Sequence, residues 1–326
     1  MPPLGVLLRL YLPIAAGVLV GVGLGQILAQ IPKSGSHPHT LHQRVPLALG
    51  KFLFWVGIPI SIVGFIRHAD LSGPIYLAPL VAWLAMLLGL GCSRLWIRAQ
   101  GKHWPRPTQG SFALAAMLGN TGYIGYPVIL LLPQLGISVF GWALFYDALG
   151  TLLGSYGLGA ILASEFSDRS QVRAHPVWRR RLLEVLQNPI ILAFGLGLGL
   201  KGVPLPAQLD QALYAIAWLV VMLALVLMGL RIQQLTSWRH LSKAGVAIAI
   251  KMLVLPLAVG LGLTVVGVHG APRMVMILQA GMPSAFANLV LAEAYDLDRD
   301  LSVTCVGLSS IGLLITLPLW LWGFAL

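Results

Sequence analysis

The sequence predicts an all-α integral membrane protein of ten transmembrane helices. They form two inverted five-helix repeats, with broken, crossing helices 4 and 9. The first observation is composition: 58% of the 326 residues are hydrophobic and 10% are charged, against about 25% charge in a soluble domain. The second is run length. A helix needs roughly 20 apolar residues to span the hydrocarbon core. About ten such runs follow one another with short loops, leaving no room for a separate soluble domain. The third is a pair of interruptions. Residues 119–127 (GNTGYIGYP) break the apolar run 112–132, and residues 281–288 (GMPSAFAN) break the run 275–294. Proline lacks an N–H and clashes with the preceding turn. Backbone groups freed inside a bilayer must face protein or a cavity, not lipid. Interruptions at matching positions of two halves are the sequence sign of a transporter's binding site.

In chain order, span 1 covers residues 10–28. Pro13 lies near its start. One early base, Arg9, and no small-residue cleavage site point to a retained span rather than a signal peptide. Span 2 covers 47–66, with Lys51 near its start, and span 3 covers 75–97. Span 4, 112–132, is the first interrupted one, and span 5, 139–163, carries Asp147. After a polar, basic stretch comes span 6, 189–205, short and Gly-rich. Span 7 covers 212–230. Span 8, 244–268, carries Lys251. Span 9, 275–294, is the second interrupted one, and span 10 covers 303–324. Residues 1–164 thus form the first five-helix repeat, 165–188 a cytoplasmic basic connector, and 189–326 the second repeat. Five is odd, so the second set enters the bilayer inverted. Short echoes support this: Pro13-Ile14 and Pro189-Ile190 open spans 1 and 6, and Gly64 before Arg67 matches Gly229 before Arg231.

The formal charge of +11 does not point to nucleic acid, because the basic residues gather at alternate loops. With the N-terminus outside, the inner loops hold Lys33 and Arg44; Arg94, Arg98, Lys102 and Arg106; Arg169, Arg173 and Arg179 to Arg181; Arg231, Arg239 and Lys243; and Arg299. The outer side holds only Arg67, Lys201 and Arg273, with Arg9 at the start. By the positive-inside rule both termini are non-cytoplasmic and the chain sits in the plasma (inner) membrane. Residues 179–187 (RRRLLEVLQ) are basic and amphipathic and are expected to lie on anionic lipid. Cys92 and Cys305 imply no disulfide framework and no metal-ligand set. His37, His39 and His42 have no Cys or acid beside them and read as a solvated loop, so no metal or cofactor is expected.

Each interrupted span is two half-helices, and a half-helix N-terminus offers free N–H groups and partial positive charge to an anion. The expected substrate-binding set is Asn120, Thr121, Gly122 and Pro127 from the first break and Pro283, Ser284 and Asn288 from the second. For Asn120 and Asn288 the competing role is to cap the half-helices. Tyr123, Tyr126 and Phe286 either wall the cavity or pack. Asp147 is the only acidic residue deep in a span, where charge costs at least about 2.5–3.5 kcal/mol. It is the candidate for proton coupling, against a structural role in bonding hydroxyls or steadying a break. Lys51 and Lys251 read as snorkelling to the inner surface, with Lys51 also a candidate for anion attraction.

The runs GNTGYIGYPVIL with FYDALG, QNPIILAFGLGLGL, and GMPSAFANLVLAEAYDLDRDLSVTCVGLSSIGLLITLPLW resemble signatures of the auxin efflux carrier family, which includes plant auxin exporters and bacterial malonate and malate permeases. The resemblance implies a scaffold of spans 1, 2, 6 and 7 and a transport unit of the others that moves like an elevator. It places the crossover at Asn120, Pro127 and Pro283. The plant exporters' long cytoplasmic loop has no counterpart here. The expected function is secondary active transport of a small organic anion, a carboxylate, at the crossover of helices 4 and 9. A sodium-coupled symporter of the bile-acid type is the alternative within transport, and a non-transporting receptor or sensor the alternative outside it. An enzyme is not expected. An intramembrane aspartyl protease needs a second deep Asp, and HExxH and GxSxG are absent. Import or export, and whether the chain forms a homodimer, stay open.

Overall fold

The computed structural model describes residues 4–31, 41–167, 186–233 and 240–324, with the backbone alone for 4–10. The described residues are helical: α1 (Leu4–Gln30), α2 (Leu41–Ile66), α3 (Leu77–Gln100), α4 (Arg106–Met117), α5 (Thr121–Leu131), α6 (140–166), α7 (Pro189–Leu200), α8 (Ala207–Gln233), α9 (Leu241–Val265), α10 (Gly270–Ala280), α11 (Phe286–Tyr295) and α12 (Arg299–Gly323). Six of them, α1, α2, α3, α8, α9 and α12, are long and apolar enough to cross a membrane. Among the described residues there is no strand, only an isolated antiparallel bridge between Gly119 and Ser284.

Local chemistry explains several helix limits. Asn188 caps α7: its side chain accepts from the Ile190 N–H at 2.9 Å, with Pro189 at the first helical position, where a proline's missing donor is not needed. The same helix stops at Leu200 instead of reaching residue 205, because Gly202 and Pro204 follow. Asp298 caps α12 by accepting from the Leu301 N–H at 2.9 Å. Residues 179–185 of the basic amphipathic segment, and His37 and His39, lie outside the described residues.

Small residues set the packing. A Cβ on Gly21 of α1 would stand on Val226 O and 2.9 Å from Gly229 Cα of α8, and one on Gly229 would stand on Val18 O. Gly64 of α2 meets Leu213 O of α8, 2.8 Å from its would-be Cβ, and Gly197 of α7 meets Ile66 of α2. Close approach through small residues drives helix association where lipid competes equally for apolar surface. So α1, α2, α7 and α8 make one group. In the other, α3 packs on α4, α6 and α9, and α12 packs on α4, α9 and α11. Aromatic contacts join the two groups: Phe65 to Phe140 at 5.3 Å and Phe145 to Phe194 at 4.9 Å, both edge to face.

Three of the bases expected on the outer side, Arg67, Lys201 and Arg273, are all engaged. Arg67, just past α2, donates to Leu200 O at the end of α7 and pairs with Asp210 at 2.6 Å. Lys201, just past α7, donates to Ile66 O at the end of α2, 3.0 Å away, and to Ala69 O. Each base satisfies the orphan carbonyls at the other helix's C-terminus, the end that favours positive charge. Arg273 reaches Thr264 Oγ1 at 3.1 Å and lies over the Phe324 ring.

Candidate functional site

Two breaks meet. Residues 118–120 separate α4 from α5, and residues 281–285 separate α10 from α11. They pair antiparallel at Gly119 and Ser284. The Asn120 N–H donates to Pro283 O at 2.7 Å, and the Ala285 N–H donates to Leu118 O at 3.0 Å. The two broken segments thus satisfy part of each other's backbone, as buried irregular chain requires. Ser284 Oγ donates to Ala115 O near the end of α4, at 3.3 Å, and the Ser284 N–H donates to Ser309 Oγ of α12 at 3.0 Å.

Both asparagines are buried, Asn120 at 4% exposure and Asn288 at 0%. Asn120 Oδ1 accepts from the Tyr123 N–H at 3.2 Å and so caps α5, while its Nδ2 has no partner. Asn288 Nδ2 donates to Ser284 Oγ at 2.8 Å, while its Oδ1 has no partner. Each amide is oriented by the bond it does make. The crossover therefore holds one unused donor and one unused acceptor, sealed from solvent.

Asp147 and Lys251 stand at opposite helix ends. Asp147 is buried at 6% exposure and opens a π-helical turn, Asp147–Leu152, of α6. Its carboxyl accepts from Thr121 Oγ1 and from the Tyr126 hydroxyl, the latter at 2.7 Å, and Oδ2 lies 3.3 Å from where a Gly122 Cβ would be. It thereby sits at the N-terminal, positive end of α5. Lys251 is 3% exposed and lies in the π-helical turn Ile250–Val254 of α9. Its Nζ donates to Ala280 O, the last carbonyl of α10. A Cβ on Gly119 would fall 2.8 Å from Lys251 Cε and 2.9 Å from Nζ. π-Helical turns of this kind are frequent at functional sites. Both are steadied by indole donors: Trp83 Nε1 to Leu149 O at 3.1 Å and Trp320 Nε1 to Met252 O at 2.9 Å.

Of the expected residues, Asn120, Thr121, Gly122, Pro283, Ser284 and Asn288 come together at the bridge, with Asp147 against them. Pro127 lies further along α5, buried, past the π-helical turn Thr121–Gly125. Lys51 is exposed on α2, outside the buried cluster. The snorkelling expected of Lys251 is overturned. Its helix begins at Leu241 and runs to Val265, which puts the residue near mid-span, and Gly119 leaves the space its ammonium fills. Two further groups were missed. Gln279 of α10, fully buried, crowds Gly125 and leaves its Oε1 without a partner; its signal was a lone amide just ahead of the second break. Arg231, read as a loop charge, belongs to α8 and lies over the Phe286 ring at 5.9 Å, which in turn meets Tyr123. A groove of about 770 Å³ between α3 and α9, lined by Leu95, Trp96, Leu241 and Val246 among others, includes none of the crossover residues. Its walls are apolar and suit lipid rather than an anion.

A family model described as membrane transport protein matches residues 159–321. With the apolar helices, it makes the chain an integral, multi-pass membrane transporter. An uncharacterized transporter of Methanothermobacter thermautotrophicus is 31% identical over 312 residues, which cover 93% of this chain and 95% of that protein. An uncharacterized transporter of Methanocaldococcus jannaschii is 26% identical over 216 residues, 65% of this chain and 68% of that one. The chain belongs to the auxin efflux carrier family.

Proposed function

We propose that the chain is a secondary active transporter of a small organic anion, a carboxylate, bound at the crossover of the two broken segments. The observation that carries this is Asn120 Nδ2: a buried donor, unpartnered, at the N-terminal end of a half-helix, with its orientation fixed by the cap its other end makes. A donor left unmet in the interior costs about 1–3 kcal/mol, and an anion would meet it. Asp147, held by Thr121 and Tyr126, is the group proposed to carry a coupled proton.

Ten spans in two inverted repeats, residues 1–164 and 189–326, belong to the same reading. Counting α4 with α5 as span 4 and α10 with α11 as span 9, the packing pairs include 1 with 7, 2 with 6, 3 with 5, 8 with 10, and 4 with 9. Exchanging each span for the one five places away maps these five pairs onto one another. Burial of the site on all sides calls for a moving unit, and the split into two helix groups supports an elevator-like displacement of α3 to α6 and α9 to α12 against the rest. Both termini outside the plasma membrane, anionic lipid at the connector and a homodimer complete the proposal.

Counterflow of labelled mono- and dicarboxylates in proteoliposomes tests it. Asn120→Ala should cut the rate by about tenfold or more, roughly 1.4 kcal/mol, with an unchanged elution profile. Wild-type rates in that variant would remove the crossover from the binding site.

A further inference from the structure

Lys251 has no role in the reading above, yet it is the buried cation of the crossover. Among the described residues no carboxylate stands within ion-pairing distance of its Nζ. Its partner is a backbone carbonyl, Ala280 O, at the C-terminus of α10, where the second break begins. Met282 O lies next to the same spot, 3.5 Å from the would-be Cβ of Gly119 that the lysine tip also crowds. Exposed carbonyls at the C-terminal end of a half-helix are the groups that coordinate sodium or carry a coupling cation in transporters with interrupted helices. Stability does not explain the lysine, since burying a charge costs free energy and apolar residues of like size fold at least as well. Gly119 keeps the space open, because any larger residue there would displace the ammonium.

We propose that Lys251 is a built-in cation. Its ammonium occupies the carbonyl end of the second broken segment, the position a coupling metal ion would take, so that transport by this chain needs no sodium. The inference rests on the crossover being the transport site, and it sets this chain apart from a sodium-coupled symporter.

The test has two arms on purified, full-length protein. The first is thermal unfolding in detergent, in sodium or choline chloride at equal ionic strength, and needs no substrate. Wild type should melt at one temperature in both salts. Lys251→Ala, which empties the carbonyl end, and Gly119→Ala, which keeps the lysine but pushes its tip aside, should each gain a saturable stabilisation of several degrees in sodium. The second arm is carboxylate counterflow in the same salts. Wild type should be indifferent, whereas Lys251→Ala should lose about tenfold in choline and recover several-fold in sodium. Sodium dependence of the wild type in either arm overturns the proposal. So does the absence of any sodium response in the variants, a result that would make Lys251 a packing residue only. Should Lys251→Ala fail to fold, Gly119→Ala decides, since its clash is with the far end of a flexible side chain. If wild type moves no carboxylate, the transport reading fails while the melting arm still rules on the cation.

Discussion

At the scale of single residues, the crossover places charge by helix end rather than by ion pair. Asp147 serves the positive end of α5 through Thr121 and Tyr126, and Lys251 serves the negative end of α10 through Ala280 O. Such placement stabilises a charge by up to about 2 kcal/mol in partly buried sites while leaving it without a fixed counter-ion. A carboxyl held this way can give up its proton to drive transport. Asp147→Asn should therefore abolish the dependence of carboxylate flux on a pH gradient. The amide also turns a donor toward one of the two hydroxyls, so a parallel Tyr126→Phe variant, which removes one hydroxyl and keeps the carboxyl, should retain the dependence. Gradient-driven flux that survives in Asp147→Asn would leave this carboxyl a purely structural role. Asp147 was legible from sequence because it is the only acid deep in an apolar run. Lys251 was not, because the apolar run starting at residue 244 hid the helix's true start at Leu241. Nothing local marks a lysine whose partner, Ala280, is 29 positions away.

At the scale of elements, glycine decides which helices touch. The α1/α8 contact rests on Gly21 and Gly229 facing each other, with backbone of the opposite helix where each side chain would be. Backbone cannot swing aside as a side chain can. Gly229→Ala should then cost about 1–3 kcal/mol by overpacking, read as a lowered melting temperature in detergent. Gly23→Ala, on the same α1 but with nothing within 4 Å of its would-be Cβ, should gain about 0.5–1 kcal/mol from helix propensity. Equal effects in the two would mean that α1 and α8 are not in close contact. The positions of both breaks, the Asn-Pro start of α7 and most helix ends were readable, because Gly, Pro and Asn act through their own backbone, whereas α1, α2 and α4 each start six residues ahead of the apolar run that marked them. The π-helical turns in α2, α6 and α9 were not. Each is one extra residue in a turn, two of them held by distant donors, that in α6 by Trp83 and that in α9 by Trp320, and a hydrophobic run does not register it.

At the scale of the whole molecule, aromatic rings and one guanidinium are part of the boundary where the two helix groups meet. The packing of α5 on α1 and α8 and a hydrogen bond from the Tyr11 hydroxyl to Leu314 O at 3.1 Å belong to it too. Phe65 faces Phe140, Phe145 faces Phe194, and Arg231 of α8 lies over Phe286 of α11. Ring contacts of this kind are worth about 0.5–1.5 kcal/mol each beyond their area and, unlike interlocked glycine backbones, they can break singly and re-form in a shifted register. On the proposed elevator-like reading, the rigid seams fall inside each group and the sliding seam at the boundary between them. It can be checked by locking one seam at a time. In a background with Cys92→Ala and Cys305→Ala, Phe145→Cys with Phe194→Cys, bridged by a short bifunctional thiol reagent, should stop carboxylate counterflow, and a reductant should restore it. Gly57→Cys with Val220→Cys places both thiols within the first group, where a Gly57 Cβ would stand 3.3 Å from Val220 Cγ2. That bridge should leave the flux as it was. Full flux through the Phe145/Phe194 bridge would mean the boundary does not slide, and the buried crossover would then need a local gate of its own to reach water.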